Sequence, residues 1–154
     1  MSDWIDEEVD NIGRKQAELE DQAERQRALG QQSAGLWQEL VRGVEAAVNK
    51  INSTQEILNR LGDKLYYEGG RVDTFKIVKG NFPAVYLTVT TFGRYFQVER
   101  KIVTNGQSRT TKDERERIEL DLDSNGRIYM KTEQGETLHV QDAVKYLLKP
   151  LLNY

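Results

Sequence analysis

The chain has 154 residues, a formal net charge of −3 and no cysteine, with 38% apolar and 31% charged residues. That composition suits one domain, or one domain with an appendage, built around a lean core. It excludes disulfides and thiolate chemistry, and no apolar run approaches the roughly 18 residues of a membrane span or follows the N-terminus as in a signal peptide, so a cytoplasmic location is expected.

The net charge hides an asymmetry. Residues 1–62 hold 12 acidic and 7 basic residues, net −5, and residues 63–154 hold 13 acidic and 15 basic, net +2. A charge of +2 spread over the larger part is far from the basic footprint of a nucleic-acid binder.

In chain order, Ser2 or Asp3 can cap a first helix whose opening turn carries Asp6, Glu7 and Glu8, favourable at the positive end of the helix dipole. Ile5, Val9, Ile12, Leu19 and Ala23 keep a 3–4 spacing along it, interrupted by Gln16 and Gln26. The stripe is narrow and everything else to about Ala28 is charged or amide, so this helix needs a partner to persist in water. Its near-heptad spacing suits a helix-to-helix seam, in another subunit or in the next helix of the same chain. Gly30–Gly35 is the expected break, with Ser33 able to cap the second helix. From Leu36 a broader stripe of Trp37, Leu40, Val41, Val44, Val48, Ile51, Ile57, Leu58 and Leu61 predicts a long amphipathic helix stopped by Gly62. Ser53 and Glu56 have capping-box spacing, so that helix alternatively restarts near Asn52. Gly43 within it points to close packing.

Leu65–Tyr67 reads as a short strand, and Arg71–Lys79, with Val72, Phe75, Ile77 and Val78, as another. The segment Ala84–Thr104 is the clearest in the chain. Val85, Leu87 and Val89, then Phe96, Val98 and Ile102, alternate with polar residues on either side of Gly93-Arg94, which predicts a tight hairpin apolar on one face. Asn105-Gly106 signals a further turn. Ser108–Glu116 is polar and charged, an exposed loop or protruding strand ends. Ile118, Leu120 and Leu122 resume the alternation, Asp123–Gly126 turns the chain, Ile128 and Met130 continue the apolar face, and Thr137–Val140 adds an edge strand. Val140, Val144, Leu147, Leu148 and Leu151 form a last helical stripe, expected to end or kink before Pro150.

Asp121-Leu-Asp123-Ser-Asn125-Gly126-Arg127-Ile128 matches the first half of an EF-hand calcium loop. Its closing position, however, holds Thr132 in place of a bidentate Glu, and its flanks alternate as strands, so a β-hairpin with Asx-type turn chemistry is the better reading. Gly93–Val98 loosely resembles the aromatic strand of RNA-recognition sheets, but Tyr95 and Phe96 point to opposite faces and cross-strand packing accounts for them better. His139 is the single histidine, which excludes a His dyad, triad or multi-histidine metal site within one subunit, and it reads as a strand-end residue. Glu114, Glu116, Glu119 and Asp121 alternate with Arg115 and Arg117 as a solvated face.

The expected fold is α+β: long N-terminal helices over residues 1–62, forming a helical hairpin or coiled-coil arm for oligomerisation, then an antiparallel meander of about five or six strands with a C-terminal helix packed on it over 63–154. The sheet is either open or a PH-like partial barrel plugged by that helix. No catalytic constellation, metal site or cofactor motif is present. The expected function is a non-enzymatic interaction or assembly module whose partner is a copy of itself or another protein, with no nucleic acid and no membrane, joined through Ile5, Val9, Ile12, Leu19 and Ala23. The alternative is a binder of a small or lipid-like ligand between sheet and helix, with Tyr86, Phe92 or Tyr95 lining the cavity.

Overall fold

The computed structural model describes residues 3–104 and 110–153. Its first element, α1, is one helix from Asp3 to Asn52. The break expected at Gly30–Gly35 does not occur. A glycine inside a helix costs only about 1 kcal/mol against alanine, and Ser33, Leu36 and Trp37, immediately beyond, are buried and hold the helix on its course. Ser33 accordingly caps nothing; its hydroxyl donates to the carbonyl of Gly30 at 3.1 Å.

The helix does break at Ser53-Thr54, where both hydroxyls donate back to the carbonyl of Lys50. Thr54, extended at φ −101° and ψ 103°, precedes the short helix α2 (Gln55–Leu61) with no side-chain cap bond, so the expected Ser53–Glu56 capping box is not formed. Gly62 ends α2 as expected, left-handed at φ 78°, its N–H donating to the carbonyl of Leu58 at 2.7 Å.

Among the described residues seven strands come next: β1 (Leu65–Glu68), β2 (Thr74–Lys79), β3 (Ala84–Thr91), β4 (Tyr95–Thr104), β5 (Thr110–Leu122), β6 (Ile128–Lys131) and β7 (Thr137–Leu138). They form one antiparallel sheet in the order of the chain, and β1 and β7 end it without pairing to each other. The count exceeds the expected five or six because the two short edge pieces both join the ladder. Val72 is left in the β1–β2 loop, 95% exposed. The charged stretch before Glu116 is also sheet and not loop. Lys101 stands opposite Asp113, Arg100 opposite Glu114 and Glu99 opposite Arg115, three pairs of opposite charge across the β4–β5 ladder. The Asn105-Gly106 turn signal lies outside the described residues.

A final helix, α3 (Val140–Leu152), covers the sheet together with the second half of α1. It runs through Pro150, where an end or kink was expected. Leu151 is fully buried, and that burial outweighs the one hydrogen bond Pro150 cannot donate. Gly43 is where α1 and α3 come closest: a Cβ there would stand 2.9 Å from Cγ2 of Val144. His139, expected as a strand-end residue, is the N-cap of α3, and its backbone N–H donates to Oδ2 of Asp142 at 3.2 Å.

Trp37 centres the core, stacked 5.4 Å from Phe75 and tilted 5.1 Å from Phe96. Leu40, Val44 and Val48 from α1, Val85, Leu87, Val89 and Val98 from the sheet, and Leu147 and Leu151 from α3 complete it. Packing therefore does not divide the chain at residue 62, because helices and sheet share one apolar interior. No helix among the described residues is long and apolar enough to cross a membrane.

Candidate assembly interface

The two halves of α1 lie in different surroundings. Every residue from 3 to 27 is exposed, whereas Ser33, Leu36, Trp37, Leu40, Val44, Val48 and Ile51 are buried. The first half is a projecting arm about 37 Å long at 1.5 Å per residue. Its apolar residues stand in solvent: Ile5 is 46% exposed, Val9 62%, Ile12 54% and Leu19 65%. Ala23 is exposed as well.

These five expected residues are brought together on one helix face, and all of them are exposed. The spacing continues through Gln16 and Gln26 to Gly30, Ser33, Trp37, Leu40 and Val44 in unbroken alternation of four and three. One heptad seam thus serves two settings. Where it meets the sheet it is core, and where it overhangs the sheet it is surface.

The base of the arm is clamped. Gln32 donates from Nε2 to the carbonyl of Gly126 at 2.7 Å and accepts from the N–H of Ile128 at 2.9 Å, gripping the β5–β6 turn with both ends of its amide. Arg25 reaches the carbonyl of Leu122 at 3.2 Å and the carboxylate of Asp121 at 3.5 Å. Trp37 donates from Nε1 to the carbonyl of Val72 at 2.8 Å, tying down the β1–β2 loop. Because β1, β3 and β5 run in the same direction, the β1–β2 loop, the β3–β4 turn and the β5–β6 turn share one end of the sheet. The arm leaves the body over that rim.

Of the three aromatics expected to line a ligand cavity, Tyr86 is 43% exposed on β3, opposite Lys101 and on the face away from the buried Val85 and Leu87. Phe92 is 55% exposed at the rim and stacks on Tyr95 at 5.1 Å, with the Arg117 guanidinium 4.3 Å over the Tyr95 ring. The three do not converge between sheet and helix. Phe92 and Tyr95 pack on each other across the β3–β4 turn, and Tyr95 and the buried Phe96 face opposite sides of the sheet as their alternation predicts.

The Asp123 carboxylate is occupied by its own turn, with Oδ1 accepting from the N–H groups of Asn125 at 2.8 Å and Arg127 at 2.9 Å. Thr132, at the would-be closing position of a calcium loop, is buried and accepts from the N–H of Glu136 at 3.1 Å. The segment is the β5–β6 hairpin.

One polar constellation was not anticipated from the sequence. Glu116, expected on a solvated face, shares the parity of Ile118 and Leu120 and points inward. Its carboxylate accepts from Nη1 of Arg100 at 2.8 Å and from the Tyr146 hydroxyl at 2.6 Å. Burial first, then the hydrogen bond and charge of Glu116, push the Tyr146 hydroxyl up to about 12. Arg100 is 8% exposed, and its Nε finds no hydrogen-bond partner among the described residues. The group sits at the head of a cleft of about 710 Å³ between the sheet and α3, lined also by Glu114, Glu136, Asp142, Lys145 and Lys149. The constellation ties α3 to the sheet. Strand parity was the signal that could have found Glu116.

The chain matches no protein-family model, no curated protein and no solved structure.

Proposed function

We propose that the protein is a non-enzymatic assembly module that joins copies of itself through the arm of α1. The observation that carries this reading is the exposed heptad seam of residues 5–26, in register with the stripe that forms the core from Ser33 onward. A helix of this length with a solvent-exposed apolar stripe gains little from its own chain, since isolated helices are marginal in water and most helical stability comes from packing one face. A second helix laid along the seam supplies the missing cover. Gln16 and Gln26 within it weaken the contact and help to fix its register.

Multi-angle light scattering tests the reading on the full chain. At about 100 μM, far above the Kd of a functional self-contact, the protein should have an oligomer's mass. Ile12→Asp with Leu19→Asp should return it to the monomer while leaving thermal unfolding of the body intact, because both positions are exposed in the single chain. A monomeric parent protein at that concentration overturns the proposal.

A further inference from the structure

Resting on that reading, we infer that two copies pair with their arms antiparallel, and that the acidic tip of each arm, Trp4 included, seats on the partner's rim beside Val72 and Phe92. The direction is set by the single seam. A helix with exact heptad spacing drifts about 20° per heptad, so the arm's middle, some two and a half heptads from Ser33, is turned by about 50° and still faces the sheet's side of α1. From Ser33 on, the chain's own sheet occupies that side. Two parallel arms would bring both sheets into the one space between the helices. Two antiparallel arms place the sheets at opposite ends, and each arm's tip then points into the other's rim.

Charge agrees. Asp3, Asp6, Glu7, Glu8 and Asp10 precede the first basic residue, Arg14, so parallel arms would set five carboxylates against their own copies. Antiparallel arms bring this tip to the base of the partner's arm, where Arg25 and Arg27 balance Asp21 and Glu24, and to a rim where Arg71, Arg94 and Arg127 outnumber Asp73 and Asp123. Apolar surface agrees as well. Trp4 is 69% exposed at the tip, and Val72 and Phe92, 95% and 55% exposed, stand at the rim. Between the β1–β2 loop and α1 a groove of about 480 Å³ opens at this end, mostly apolar, with Trp37, Val41 and Tyr67 in its walls and Arg42 and Arg71 at its edge beside Glu45 and Asp73. Its apolar walls offer an indole a seat.

The absence of cysteine makes the test clean. Asp3→Cys marks the tip and Arg27→Cys the base, and within one helix they stand about 36 Å apart at 1.5 Å per residue, too far for a short bismaleimide to link. The doubly substituted full-length protein should give at least tenfold more covalent dimer than either single variant. Trp4→Ala should raise the dimer Kd at least tenfold. Efficient self-linking of Asp3→Cys alone, in a protein of dimer mass, overturns the antiparallel pairing and leaves assembly through the arm standing. An unchanged Kd for Trp4→Ala overturns the seat on the rim. Monomer mass in the parent protein overturns the pairing together with the reading beneath it.

Discussion

The halves of α1 make a controlled comparison inside one helix. Residues 33–51 and residues 5–26 share a backbone, a period and a heptad frame, yet Leu40 and Val44 are fully buried and Leu19 is 65% exposed. Local sequence thus decides that both halves are helix and which face is apolar. What covers that face is decided elsewhere, by how far the sheet extends. The difference teaches that an apolar stripe is a demand for a partner, and that the partner need not be in the same chain.

The largest expected effect separates the halves directly. Leu40→Ala should cost about 2–5 kcal/mol in urea unfolding, the range for a leucine truncated in a core that cannot fully collapse. Leu19→Ala, monitored under conditions where the protein is monomeric, should change unfolding by less than about 0.5 kcal/mol, as expected for surface positions. Equal losses at the two sites would mean that the arm folds back on the body, and the comparison would fail.

Polar contacts should divide the same way. Arg25–Asp121, at 3.5 Å with both side chains more than half exposed, should contribute little. Tyr146→Phe in the body removes a donor from the half-buried Glu116 and should cost about 1.5–3 kcal/mol, the range for hydrogen bonds to charged groups. The pH dependence has a definite sign. The folded value of about 12 lies above the ordinary 10.0, so this stabilisation is fully present below pH 10 and is lost as pH rises from 10 towards 12. The gap between parent and Tyr146→Phe in urea midpoint should stay level up to about pH 10 and shrink above it. A gap that widens above pH 10 would contradict the assigned contact.

The smallest effect uses two glycines. Gly13, in the arm, has open space around it, and Gly13→Ala should raise helicity by about 1 kcal/mol of propensity. Gly43→Ala carries the same gain but drives its methyl against Val144, where overpacking typically costs about 1–3 kcal/mol, so it should be neutral to destabilising by about 2 kcal/mol. Circular dichroism and thermal melts of both variants read the contrast. Stabilisation by Gly43→Ala to the same extent as by Gly13→Ala would show that α1 and α3 can part at no cost.

The sequence by itself determined the α+β class, the hairpin of residues 84–104 with Val85, Leu87, Val89, Phe96 and Val98 inward, the left-handed stop at Gly62, the hairpin at Asp123–Gly126 and the docking of Val144, Leu147 and Leu148. It also marked the arm's stripe. Periodicity and turn chemistry are local, and these features are written in neighbouring residues. Tertiary structure alone decided the rest. Gly30–Gly35 stays helical because the core seizes Ser33, Leu36 and Trp37 just beyond it. α3 passes Pro150 because Leu151 is buried. Lys79 is buried and donates to the carbonyls of Asn81 and Pro83, its pKa pulled below the ordinary value by that burial. Glu116 turns inward to Arg100, sixteen residues away, and to Tyr146, thirty residues away. For the two helices and for Glu116, contacts distant in sequence outweigh local preferences of about 1–3 kcal/mol, and no window of neighbouring residues contains them.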